Sequence, residues 1–353
     1  LTFENAGTKL TNFGKITKDL GKTITSLGTA IAPVSVAMSG LGGFAIKTSI
    51  DFEAAMSKLK ALSGASAKDM QVLTDKAREM GEATSFSATE AAEGLQYMAL
   101  AGWDTNEMLT GIEPVLRLAE AGNLDLGRAS DLATDSLSAM GKSVDELQGY
   151  LDIVAKTSTV ANTDIDQLMQ AFLEVGQTAD TLGIDTVDLA ANLSTLADAG
   201  KKGGEAGHSL QTILSRLSAP TAAISTALDE LGVQVFDSDG KFRGLTTVLQ
   251  DFDSAMSGLS EEQQLYYSTI IAGKNHLTNF QTLVKNVGTK TAEYTEQIKD
   301  SDNALFEMAK TMKDNVQGQL ERLKSAIEEL GLSFGETILP YVSRFVEYLQ
   351  KLV

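Results

Sequence analysis

The chain has 353 residues, no cysteine, two histidines (His208 and His276) and four prolines. The absence of thiols excludes a disulfide framework and thiolate chemistry, and two histidines leave little for a His-based catalytic or zinc constellation. Scarce proline and 43% hydrophobic residues favour helix, while 31 glycines require the helices to be interrupted often. The net charge of −18 is uneven: residues 1–50 carry +3 and residues 51–200 carry −16. An acidic surface of that size repels phosphate, so sequence-specific nucleic-acid binding is not expected.

Residues 1–22 alternate lysines with Leu10, Phe13, Ile16 and Leu20 at helical spacing, which predicts a short basic amphipathic helix. From Thr23 to Ile46 no residue is charged. That length can cross a bilayer core, which makes Thr23, Pro33, Ala37, Gly42 and Ile46 markers of a candidate membrane segment. The mild composition, rich in Gly, Ser and Thr, better suits small-residue helices packed within protein. A chain opening on Leu1 is expected to be a piece of a longer one.

From Asp51 the pattern becomes helical hairpins. Ser87 with Glu90, Asp104 with Glu107, Ser143 with Glu146 and Ser260 with Gln263 place a capping side chain three residues before Glu or Gln. Gly102, Gly122, Gly141, Gly176 and Gly200 read as helix stops. First helices are expected over Ala91–Gly102, Ser130–Gly141 and Ile165–Gly176, and second helices over Thr105–Ala121, Val144–Lys156 and Thr186–Ala199. Two readings fit that spacing: an α-solenoid period, in which units are stable only when stacked, or the ordinary rhythm of a helical protein with short loops.

Leu196–Pro220 is a Gly-rich loop opening a helix, with Gly200, Gly203, Gly204 and Gly207 around Lys201 and Lys202. It reads as a place of close backbone approach rather than an anion site, because no strand precedes it. Next, Val233–Phe236 alternates, Asp239-Gly240 supplies a turn and Lys241–Arg243 returns, predicting a short β-hairpin. A calcium loop does not fit, since Val235 and Thr246 would fall where carboxylate ligands belong. The C-terminal part carries Leu305, Met308, Met312, Val316, Leu320, Leu323, Ile327 and Leu330 as one apolar stripe, with a break at Gly331–Gly335 and a second helix beyond. The expected fold is therefore mainly α: stacked helical hairpins, one short β-hairpin and long C-terminal amphipathic helices. The expected divisions are 1–50, 51–220, 221–290 and 291–353, the last leading into a longer downstream rod.

Other chemistry finds no support. Gly21-Lys22-Thr23 and Gly141-Lys142-Ser143 have the tail of a phosphate loop, but Ile16 and Ser136 replace its first glycine. Neither histidine lies in a nucleophile-elbow context. No catalytic residue, cofactor or metal site is expected, and the chain reads as a non-enzyme.

Six segments carry a family resemblance: Ile50–Ala61, Thr84–Trp103, Val115–Gly122, Leu196–Pro220, Leu228–Leu245 and Ile271–Leu283. In order and spacing they resemble the core of tailed-bacteriophage tape measure proteins of the siphophage type, with Trp103, Gly200, Gly204, Gly207, Asp239, Gly240 and Gly273 at the motif positions. Lys202 and His208 depart from it, standing where that family usually shows an apolar and a small residue. The resemblance implies a structural protein of the tail-tube lumen that sets tail length and later helps the genome into the host. Implied partners are the tail tube protein, tail assembly chaperones, tail-tip proteins, further copies of the chain and, during ejection, the host membrane. Residues 51–290 would then be a compact head and the ruler proper would lie beyond Val353. The alternatives from other classes are a membrane-perturbing helical protein and a cell-wall hydrolase.

Overall fold

The computed structural model describes residues 37–350, with side chains over 44–335. The basic segment 1–22 and the residues Thr23 and Pro33 lie outside that range. The described part is built of helices α1 (Ala37–Ser63), α2 (Ala67–Ala83), α3 (Ala88–Leu100), α4 (Thr105–Gly122), α5 (Leu126–Ala139), α6 (Leu147–Val160), α7 (Ile165–Leu182), α8 (Thr186–Asp198), α9 (Gly203–Ser218), α10 (Ala222–Leu231), α11 (Leu245–Met256), α12 (Glu261–Ala272), α13 (Leu277–Asn286), α14 (Ala292–Lys299), α15 (Ala304–Lys313) and α16 (Val316–Gln350).

Local chemistry sets most of the starts. Ser87 and Glu90 form a complete reciprocal capping box, as do Asp104 with Glu107 and Ser260 with Gln263. At Ser143 the Glu146 carboxylate accepts from both the backbone N–H and the hydroxyl of Ser143, over a single 3-10 turn (Val144–Glu146). Ser66, Asp125, Asp164, Asp185 and Thr221 cap further helices through one or two N–H groups of the opening turn.

The glycine stops divide. Gly102, Gly141 and Gly200 adopt φ of +87°, +62° and +84°, as helix terminators require. Gly122 is still helical, and Asn123 beyond it takes the left-handed position at φ 48°. Gly176 does not end a helix. It lies buried inside α7, where a Cβ would stand 3.0 Å from the Ala139 carbonyl carbon, and α7 runs on to Gly183. Gly176 is there to let α5 approach, not to break the chain.

The first helices α3, α5 and α7 stack in sequence, extended by α1 at one end and α9 at the other. Second helices α4, α6 and α8 stack beside them. The core between is rich in alanine and leucine, including Ala91, Ala92, Leu95, Ala129, Ala133, Leu151, Ala155 and Ala191. It is keyed by edge-on rings such as Tyr150 on Phe172, 5.5 Å between centroids. Helices α10 to α13 close the far end. From there the chain turns back: α14 lies on α8 and α6, α15 on α6 and α4, and α16 on α1 and α2. This return layer brings the last helix to the first.

Two further expectations are corrected. Among the described residues there is no β-strand, so the short hairpin does not form; residues 233–243 make only an isolated antiparallel bridge between Phe236 and Phe242. The reason lies in Asp237. Its Oδ1 accepts from the N–H of Asp239 and of Lys241, 2.9 Å each, taking a donor that a ladder would need. Only Gly240, and not Asp239, adopts positive φ, so the two-residue turn of a tight hairpin is replaced by a wider loop. The second correction is the C-terminal break. Helix α15 ends at Lys313, and α16 runs unbroken through Gly331–Gly335, because those glycines pack on α1: a Cβ at Gly335 would fall 2.9 Å from the Ala45 carbonyl oxygen.

The return layer is held by a borrowed cap. Asn303 precedes α15 in the left-handed region and offers no side-chain cap. Instead, buried Asp152 of α6 accepts from the Leu305 N–H at 2.9 Å. Replacing Asp152 by Ala strands that donor in the interior and is expected to cost about 1–3 kcal/mol. Asp152→Asn, which keeps an acceptor oxygen, should retain most of the stability, and urea unfolding of the two variants measures the difference.

Candidate functional site

Helix α9 is where the motif glycines converge. Helix α8 ends in a Schellman-type turn, with the Lys201 N–H on the Leu196 carbonyl at 2.9 Å and the Gly200 N–H on Ala197 at 3.0 Å. The chain then enters α9 through Lys202, which offers no side-chain cap. Both lysines of the loop are engaged within the chain, Lys201 with Glu205 and Lys202 with Asn162 Oδ1 at 2.8 Å. One turn on, Gly207 meets α7 backbone to backbone: a Cβ there would stand 2.4 Å from the Ala171 carbonyl oxygen and 2.8 Å from the Ala171 Cα. Gly204 looks the same way, towards Glu174.

The rest of α9 is tied to α12 and α13. Arg216, in its last turn, donates to the carbonyls of Ile270 and Ile271, each at 2.7 Å, and so covers the acceptors left open where α12 ends. Gly273 follows at φ +78°, with its would-be Cβ 3.8 Å from the Arg216 guanidinium carbon. Ser209, buried on α9, accepts from Asn279 Nδ2 at 2.8 Å and lies 3.0 Å from His276 Nδ1. A hydroxyl can accept twice and donate once, so the direction of the Ser209–His276 bond follows the tautomer of the ring. His208 packs edge-on against His276, 5.8 Å between centroids. Burial, His208 and Arg216 together hold the His276 pKa below its ordinary value. Arg216, Ser209 and Asn279 have no sequence signature beyond a base in a last helical turn.

Two neighbouring carboxylates behave differently. Burial raises the Asp188 pKa, against hydrogen bonds from Thr246 and Leu245 that hold it down. At Asp198 burial also pulls upwards but is outweighed by Lys290 and Tyr294, both 2.7 Å away, so the pKa is lowered. These residues pin α8 to α11 and to the return layer. Among the described residues no group of three or more His, Asp or Glu side chains is arranged to hold a metal ion.

The remaining motif positions lie elsewhere. Trp103 follows Gly102, with its N–H on the Met98 carbonyl, and its indole covers Gly111 so closely that a Cβ there would be 2.2 Å from the ring. Asp239 and Gly240 are exposed in the loop between α10 and α11. Ala37, Gly42 and Ile46 fall in α1, with Ile46 half-buried. No described helix is long and apolar enough to cross a membrane.

Two outcomes follow from this geometry. Gly207→Ala must displace backbone and is expected to lose about 1–3 kcal/mol. Gly149→Ala, in an α6 site with nothing within 4 Å of the added carbon, should gain roughly 0.4–1 kcal/mol; chemical denaturation compares them. The second concerns pH. His276 has a lowered folded pKa, so its contribution is fully present above the unfolded value of about 6.5 and is lost as pH falls through it towards the folded value. Asp188, with a raised pKa, acts in the opposite sense. Unfolding midpoints at pH 7.5 and 5.5 should therefore differ less for His276→Gln than for the unaltered chain, while Asp188 contributes equally to both.

Comparison with known proteins places the chain among phage tail proteins. Over residues 74–273 the chain matches the model of a family described as phage-related minor tail protein. It is 29% identical over 335 residues to a tape measure protein of Pneumococcus phage Dp-1, covering 95% of this chain and 29% of that protein. It is also 29% identical over 320 residues to a probable tape measure protein of Escherichia phage P2, covering 89% of this chain and 39% of that one. The chain thus spans about a third of the length of these relatives. No solved structure matches it. The family match takes in the helices from α2 to the end of α12, more than half of the sequence, and the chain belongs to the phage-related minor tail protein family.

Proposed function

We propose that this chain is the folded region of a tail tape measure protein. In that role the whole protein sets tail length in the tube lumen during assembly and leaves ahead of the genome to assist its passage into the host. The observation that carries the reading is the colinear match to two tape measure proteins along nearly the entire chain. Its partners would be the tail tube protein, tail assembly chaperones, tail-tip proteins and other copies of itself. The role is structural, with no catalytic step.

The return layer bears on how such a region would serve. A helix measures length at about 1.5 Å per residue only while it is extended. Here α16 comes back to lie on α1, so the many helices between them add little to the distance from entry to exit. This region is then a block of fixed size at one end of the ruler, and length would be counted in sequence beyond it. The uncharged run Thr23–Ile46 would serve at the host membrane only if α1 parted from α16, since Ala45 is buried at 1% exposure.

Deleting one hairpin tests the block. Removing residues 125–158 takes out α5 and α6, on which α7, α8, α14 and α15 rest. Tails should be lost or unstable, as expected when a stacked unit is excised. Electron microscopy showing tails of uniform, proportionally shorter length would mean that the region is extended in the tube.

A further inference from the structure

Three groups that carry positive charge, or can take it, meet where α9 touches α12 and α13. His208 and Arg216 stand on α9, and His276 directly precedes α13. The two imidazole rings meet edge-on, with 5.8 Å between centroids. Arg216 holds the end of α12 through the Ile270 and Ile271 carbonyls. His208 is exposed and His276 half-buried, so either ring can take a proton from water without prior unfolding. They are the chain's only histidines, and no other imidazole titrates with them.

Protonation leaves the hydrogen bonds of the junction in place. A ring protonated at both nitrogens donates through Nδ1, and the Ser209 hydroxyl can accept that bond beside the one from Asn279. What changes is the charge. The charged groups that act on His276 are His208 and Arg216, and no carboxylate is among them. Glu205, one turn before His208 on α9, is paired with Lys201. Lys274, exposed two residues before His276, adds a further positive charge. From α12 and α13 the junction receives the carbonyls of Ile270 and Ile271 and the amide of Asn279, none of them charged. Two imidazolium ions at this separation, beside a guanidinium, repel one another with nothing to offset it.

We propose that this junction is an acid-operated joint: when both imidazoles are protonated, α12 and α13 loosen from α9 while the helices of the stack stay packed. The sense follows from linkage. Protons bind more tightly where the rings are apart, so falling pH favours the open joint. The lowered pKa of His276 in the closed joint agrees in direction. Closure is therefore complete above the free-ring value of about 6.5 and is lost as pH falls below it. The joint needs no tail component and stands apart from the assembly role.

Hydrogen exchange of the full chain, corrected for the intrinsic rate at each pH, tests the joint. From pH 7.5 to pH 5.0, protection over residues 268–283 should fall about tenfold more than over residues 129–137 of α5. His208→Gln, at an exposed position that threatens no packing, removes one of the two charges. It should abolish most of that acid-linked loss while leaving protection at pH 7.5 unchanged. Sodium chloride at about 0.5 M, where the Debye length is about 4 Å, should reduce the loss in the unaltered chain as well. Equal loss over 129–137 would mean that the whole fold responds to acid, and would overturn the proposal. Full protection of 268–283 at pH 5.0, or a loss unaffected by His208→Gln or by salt, would overturn it too.

Discussion

Among the described helices no helical pair covers its own apolar face, and the architecture follows from that constraint. Helix α5 is closed by α3 on one side and α7 on the other, and α7 by α5 and α9. Stability is then a property of neighbours, passed along the stack as in repeat proteins. The contacts are made close by small residues. Gly176 admits α5 to α7, and Gly207 admits α9 to α7 with backbone touching backbone. A solenoid of such units normally leaves its second layer open. Here α14, α15 and α16 are spent covering it, and Asp152 and Asp198 fix that cover with polar bonds to α15 and α14.

What could be read from the sequence was what is decided within three or four residues. A capping side chain and the carboxylate or amide that answers it are neighbours in the chain, so the boxes at Ser87, Asp104 and Ser260 were legible before any tertiary contact was known. The same holds for the left-handed stops at Gly102, Gly141 and Gly200. Glycine misleads when the cause is distant. Gly176 and Gly335 have the same absent side chain as Gly200, but they serve close packing against Ala139 and Ser49, which local sequence cannot disclose. The hairpin failed for a related reason. Alternation and Asp-Gly were present, but the Asp237 carboxylate competes for the backbone donors of the turn, and a two-stranded ribbon without a third strand is marginal.

The candidate site shows the same division. The glycines of α9 were legible as a place of close approach. The residues that make α9 the junction of the far end were not, because their partners are 54 to 70 residues away in sequence: Arg216 on Ile270 and Ile271, and Ser209 on His276 and Asn279. His208, read in the sequence as a departure from the family resemblance, has a structural partner there. It packs on the chain's other histidine, so the two histidines form one contact between α9 and the start of α13.

The stack α3 to α9 is closed by contacts between successive helices, and the return layer adds Ile298, Leu305 and Ala309 to the same core and polar bonds across the chain: Asp152 to Leu305, Asp198 to Lys290 and Tyr294, and Arg78 to Glu329. Of these, the buried Leu305 N–H would lose most if its bond were left unmade. A return layer that parted from α4, α6 and α8 would free α1 from α16 and expose the alanine-rich second layer along its length. The cover and the stack share one core, and the contact of α16 on α1 closes it.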